Sequence, residues 1–73
     1  AVGDARLHLA EVLYQRGQNE QALQVLDELL IESPEHAEAH LLRGFVLGDM
    51  GRHEAALVAA RTAARLDPRL ETV

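Results

Sequence analysis

Shifting the chain against itself by 34 residues brings its two halves into register. The stretch Gly3–Pro34, GDARLHLAEVLYQRGQNEQALQVLDELLIESP, lies over Ala37–Pro68, AEAHLLRGFVLGDMGRHEAALVAARTAARLDP. Gly51 falls on Gly17, Pro68 on Pro34, and Ala56-Leu57 on Ala22-Leu23. Ala39, Leu41, Val46, Leu47 and Glu54 fall on Ala5, Leu7, Val12, Leu13 and Glu20. A fixed period of this length in a helix-forming chain marks one supersecondary unit repeated and stacked.

Within each unit the punctuation predicts two helices. Asp4 is placed to cap a first helix reaching about Arg16, with Leu9, Val12 and Leu13 on one face and Ala5 and Leu7 beside them. Gly17 ends it, because glycine takes positive φ without strain. Asn19 is the expected cap of a second helix, with Glu20 in its first turn where negative charge is favourable. Its apolar positions, Ala22 through Ile31, cover more than one stripe, so the helix should be covered on two sides. Ser33 is biased away from helix by Pro34, which stops it.

A third helix is predicted from about Ala37 to Met50, a turn at Gly51, and a fourth helix from about His53 to Leu66, closed by Asp67-Pro68. Gly44 inside the third costs ~1 kcal/mol relative to alanine, which is tolerated where a neighbouring helix comes close. The alanines of the fourth helix allow the same close approach. The last residues, 71–73, could begin a further helical segment.

Seventy-three residues make one small domain, and a chain of this size buries only ~60% of its unfolded surface. Tyr14 and Phe45 are its only aromatics, while alanine and leucine dominate, which suits close-packed helices. With no cysteine there is neither a disulfide framework nor a thiolate site. No apolar run approaches the ~20 residues of a membrane helix, and no signal peptide is visible. The expectation is therefore no membrane partner and an open compartment, cytoplasm or periplasm, with the cytoplasm favoured. A first residue of Ala rather than Met points to a processed product or an excised piece.

The net charge of −5 is unevenly spread. Residues 3–36 carry seven acids against two arginines, net −5, whereas residues 37–70 carry four acids against five arginines, net +1. The acidic balance argues against non-specific nucleic-acid binding.

These residues resemble the tetratricopeptide repeat, an antiparallel helix pair with the signature W-x2-L-G-x2-Y, then A-x3-F, then P. The second unit answers with His40, Arg43, Gly44, Leu47, Ala56, Ala60 and Pro68. The first answers with Arg6, Leu9, Ala10, Leu13, Ala22, Leu26 and Pro34. The large aromatics are replaced, but the small residues, turn glycines and prolines are in place. The resemblance implies an all-α fold: two tandem hairpins, repeat one 3–36 and repeat two 37–70, in a short right-handed solenoid.

The resemblance also implies a concave groove lined by the first helix of each unit, where such proteins bind a peptide or helix of a partner. Carried over, it comprises Asp4, Leu7, His8, Glu11, Tyr14 and Gln15, then Glu38, Leu41, Leu42, Phe45, Gly48 and Asp49. That surface is apolar in its middle and acidic at its edges, so the expected ligand has apolar anchors and Arg or Lys flanks. The lysines and asparagines with which one subgroup clamps chaperone C-termini are missing; Leu7, Glu11, Leu42 and Phe45 stand there. The alternative is that these residues are solvated or pack on neighbours in a longer array.

Catalytic and metal chemistry finds little support. His36 and His40 are spaced i,i+4, but no carboxylate or cysteine completes a ligand set, and surface or inter-helix histidines are the simpler reading. HEAAL at His53 lacks the second histidine of a zinc-protease helix, and Ser33, the only serine, has no nucleophile elbow. No enzyme, cofactor or metal is expected.

Arg61, Arg65 and Arg69 form a basic stripe on the last helix and just beyond it. It is an anion site, a solvated face, or one side of a self-stack, since Asp27 and Glu35 occupy the places of Arg61 and Arg69 in the first unit. Stacks of this kind usually need about three units, so the face of Leu57, Ala60, Arg61, Ala64 and Arg65 should be covered. A homo-oligomer is expected. The reading is thus a non-catalytic protein-binding module, with a structural oligomerisation element, or a regulatory segment of a larger enzyme or co-chaperone, as alternatives.

Overall fold

The computed structural model describes residues 2–70, with side chains from Asp4 onward. Four helices follow in order: α1 (Val2–Gln15), α2 (Asn19–Glu32), α3 (Ala37–Asp49) and α4 (His53–Leu66), then a short 3-10 turn, Pro68–Leu70. Among the described residues there are no strands, and the architecture is the all-α pair of helical hairpins expected from the 34-residue register. The expected further helical start at residues 71–73 lies outside the described residues.

Both hairpin turns are built alike. The amide of Gln18 donates to the carbonyl of Leu13 at 2.9 Å and that of Gly17 to Tyr14 at 3.0 Å. One unit later Arg52 donates to Leu47 at 2.9 Å and Gly51 to Gly48 at 3.1 Å. This six-to-one and five-to-two pairing needs a left-handed residue after the helix, and Gly17 (φ 77°) and Gly51 (φ 82°) supply it. The second helices end alike too: the amides of Ser33 and Asp67 close onto Leu29 and Ala63, and proline follows each.

The helix starts depart from the sequence expectation. α1 begins at Val2, so Asp4 lies in its first turn and complements the helix dipole rather than capping. The cap position of α2 is Gln18, without a side-chain bond, and Asn19 is the first helical residue, its Oδ1 buried without a partner. The Schellman-type turn carries the chain straight from Gly17 into α2, leaving Asn19 already helical. α3 has the one side-chain cap found among the described helices: His36 Nδ1 accepts from the Ala39 amide at 3.2 Å.

Leu47, Ala59 and Ala63 are buried elsewhere, and the main core cluster forms where α2 and α3 meet α1. Ala10, Ala22, Leu26, Leu29, Ala39, Leu42 and Val46 are buried in it, and Leu7, Leu13, Tyr14, Leu23, Val25, Leu30 and Met50 pack around them. α2 is covered on two sides, by α1 and by α3, as its broad apolar arc demands. Ile31 is the exception and stays 79% exposed. On α1 the inward face is Leu7, Ala10, Leu13 and Tyr14. Leu9, assigned to the packed face from the sequence, is 49% exposed and is not part of the core cluster.

α3 is also wedged against α4. A Cβ on Gly44 would stand 3.1 Å from the Ala56 carbonyl oxygen and 3.6 Å from the Ala59 Cβ, so the two backbones are in near contact there. Gly48 has more room, its nearest neighbour being the Ala56 Cβ at 3.9 Å. Gly44→Val should therefore destabilise the fold by about 2 kcal/mol or more through backbone displacement. Gly48→Ala should stabilise it by about 0.5–1 kcal/mol, a melting-temperature rise of several degrees. Thermal unfolding followed by circular dichroism measures both.

Candidate functional site

Three kinds of surface surround this core. The first is the face shared by α1 and α3. The two helices touch, and the Asp49 carboxylate stands beside the Tyr14 hydroxyl. Partial burial, reinforced by that carboxylate, holds the Tyr14 phenol above its ordinary pKa. Asp4, His8, Glu11 and Gln15 on α1, and Glu38, Phe45 and Asp49 on α3, are exposed. His8 Nδ1 lies 3.8 Å from the Glu11 carboxylate. Leu7 and Tyr14 are half-buried against the core, as are Leu41 and Gly48 in the wider structure. Leu42 turns inward, only 8% exposed, and contributes to the core rather than to the surface. It faces α1 and α2, which α3 must meet to join the two hairpins.

The second surface is a groove of about 480 Å³ between α3, α4 and the 3-10 turn, lined by Leu41, Phe45, Ala60, Arg61, Ala64, Arg69 and Leu70. It joins residues that the sequence assigned separately, Leu41 and Phe45 to a ligand groove and Ala60, Arg61 and Ala64 to a self-association face. Leu57 (51% exposed) and Arg65 are open to solvent on α4 but outside this lining. Arg69 is held back: its Nε and Nη2 donate to Asp67 at 2.9 Å each, and its amide donates to the same carboxylate at 3.1 Å. Those bonds from Arg69 keep the Asp67 carboxyl below the usual carboxylate range. Their contribution is present above that range and is lost as pH falls through the lowered value.

The third surface is a shallower recess of about 310 Å³, with Leu23, Ile31 and Met50 as its apolar floor and Glu20, Asp27, Glu28 and Arg52 at its rim. Sequence reasoning missed it. The signal was present in the surplus apolar residue Ile31 on an otherwise covered helix.

The joint between the hairpins carries a polar lock. Arg43 Nε donates to Asp27 Oδ1 at 2.9 Å, from α3 to α2, at a place where both side chains are partly exposed. Arg6 reaches Glu32 at 2.8 Å between α1 and α2. His40 Nε2 lies 2.8 Å from the Pro34 carbonyl oxygen, so this ring, like that of His36, is engaged in organising the start of α3. Among the described residues no three His, Asp or Glu side chains converge as a metal set would.

Reversing one end of the inter-hairpin lock should cost stability and reversing both should return it. Asp27→Arg is expected to destabilise by up to about 1 kcal/mol through the like-charge contact with Arg43, and Asp27→Arg with Arg43→Asp to restore most of that. Denaturant unfolding at low salt reads the double-mutant cycle.

The chain is 34% identical over 65 residues to the uncharacterized protein y4yS of Sinorhizobium fredii (strain NBRC 101917 / NGR234). That alignment takes in 89% of this chain and 36% of y4yS, so the chain spans about a third of the relative's length. Two family models described as tetratricopeptide repeat match it, one over residues 2–45 and the other over residues 37–65. Repeats of this family generally mediate protein–protein interaction. With paired helices in a 34-residue register, glycine turns of identical bonding and family matches across both hairpins, this chain belongs to the tetratricopeptide-repeat family.

Proposed function

We propose that the chain is a non-catalytic protein-binding module, with units 3–36 and 37–70, that takes a segment of a partner protein along the α1/α3 face. The observation that carries this reading is Phe45, a large aromatic left 53% exposed on a face whose other exposed side chains include Asp4, Glu11, Glu38 and Asp49. An exposed aromatic is an anchor available without rearrangement, and ring desolvation supplies affinity where a single carboxylate would not. The acids around it favour a ligand with Arg or Lys flanks, through orientation and on-rate more than through net affinity. Neither nucleic acid nor a membrane suits an acidic surface of this kind.

The same module is proposed to associate with itself. α4 carries Leu57 and Val58 at 51% and 64% exposure, and the groove beside it is lined by Leu41, Phe45, Ala60 and Ala64. In a stacked repeat such a face is covered by the next unit.

Fluorescence titration with peptides tests the binding reading. A peptide with an apolar centre and arginine flanks should bind at least about tenfold more tightly than the same centre with glutamate flanks, and the difference should shrink at high salt. Glu11→Arg with Phe45→Ala should abolish binding while leaving the helical signal unchanged. Equal affinity for both peptides would contradict the charge argument.

A further inference from the structure

Two imidazole rings hold the start of α3, and their bonds place different demands on the proton. The chain leaves α2 at Ser33, turns through Pro34 and Glu35, and enters α3 at His36. The His36 backbone is extended (φ −75°, ψ 97°), and its Nδ1 accepts from the Ala39 amide at 3.2 Å. Ala39 is the third residue of the helix and is wholly buried in the cluster that joins the hairpins. One turn on, His40 Nε2 lies 2.8 Å from the Pro34 carbonyl oxygen, back across the same turn.

Each bond fixes a protonation pattern. The Nδ1 of His36 accepts only through a free lone pair, so this ring carries its one proton on Nε2. His40 faces a carbonyl, so its Nε2 must carry a proton, which both the neutral ring and the imidazolium can supply. Protonation therefore spares the His40 bond and abolishes the His36 bond. It also puts positive charge at a helix N-terminus, where the free amides already present positive partial charge.

The charged groups around this turn do not compensate. Glu35 and Glu38 stand exposed on the same segment, and Glu38 also lies within the electrostatic reach of Arg69. At the end of α2, Glu32 is paired with Arg6 of α1; beyond α4, Asp67 is paired with Arg69. Arg43, one turn further along α3, is held by Asp27 of α2. Attraction between exposed carboxylates and an imidazolium is screened by water, and it does not replace the acceptor that a protonated Nδ1 withdraws.

We infer that His36 is a proton-sensitive latch on the joint between the hairpins: neutral, it caps α3 and fixes Ala39 in the core; protonated, it releases the first turn of α3. Imidazole is the side chain that ordinarily changes charge between about pH 5 and 8, so the cap contributes at the alkaline end of that range and is lost toward the acid end. The Asp67–Arg69 pair is lost only below the usual carboxylate range and plays no part in this transition.

Denaturant unfolding of three chains at about pH 7.5 and about pH 5 tests the latch. His36→Asn keeps an acceptor at every pH, and His36→Ala has none. Near pH 7.5 the His36→Ala unfolding equilibrium constant should exceed that of the unaltered chain by about fivefold. On going to about pH 5, the gap between the unaltered chain and His36→Asn should widen by about fivefold, while the gap between His36→Ala and His36→Asn stays constant. Comparison within one pH removes the titration of every group the chains share. Nitrogen-15 spectra of the ring near pH 7.5 should place the His36 proton on Nε2, and lowering the pH should cost the Ala39 amide more exchange protection in the unaltered chain than in His36→Asn.

Any of three results overturns the inference: parallel loss of stability in the unaltered chain and His36→Asn, a His36 proton on Nδ1 near pH 7.5, or His36→Ala as stable as the unaltered chain there. If His36→Ala fails to fold, the comparison with His36→Asn and the ring spectrum decide between the same outcomes.

Discussion

α3 is the helix on which both hairpins close. Ala39 and Val46 are wholly buried and Leu42 nearly so against α1 and α2, while Gly44 brings the same helix into near contact with the backbone of α4. A hairpin alone has one apolar seam and would be marginal in water. Placing a helix that is apolar on two sides between three others converts two weak hairpins into one core. The glycine turns, the helix lengths and the inter-hairpin ion pair all act to bring that helix to its seat.

The same requirement explains which parts of the architecture could be read from the residues. Gly17 and Gly51 impose a backbone conformation that few residues tolerate, and Pro34 and Pro68 forbid helix continuation; such constraints are local and survive without knowledge of packing. Gly44 was readable because a helix-interior glycine needs a close neighbour to justify it. Asp4 and Asn19 misled because their residue types favour cap positions that the turn geometry assigned to others. The lock between Arg43 and Asp27 depends on how two helices cross, which no local pattern encodes, whereas the His36 cap is local but comes from a residue type outside the usual capping set.

Leu9 was the more instructive departure. Apolar residues at helical spacing do not say which of two apolar arcs meets the core, and α1 has both. The inward arc is Leu7, Ala10, Leu13 and Tyr14, and Leu9 with Val12 belongs to the other. In the 34-residue register that second arc corresponds to the surface through which α3 joins the preceding hairpin. The same logic merged residues assigned to two separate surfaces, Phe45 and Ala64, into one groove. Sites in such a fold follow from unit-to-unit equivalence more than from any motif.

If α3 couples the two hairpins, the chain opens as one cooperative unit rather than hairpin by hairpin. Residue-resolved amide hydrogen exchange under native conditions measures this directly. The account predicts that the amides of Leu26, Leu29, Leu42 and Val46 share one protection level, the highest in the molecule. Exchange of Leu42 and Val46 well before Leu26 and Leu29, or two separate levels for the two hairpins, would contradict it.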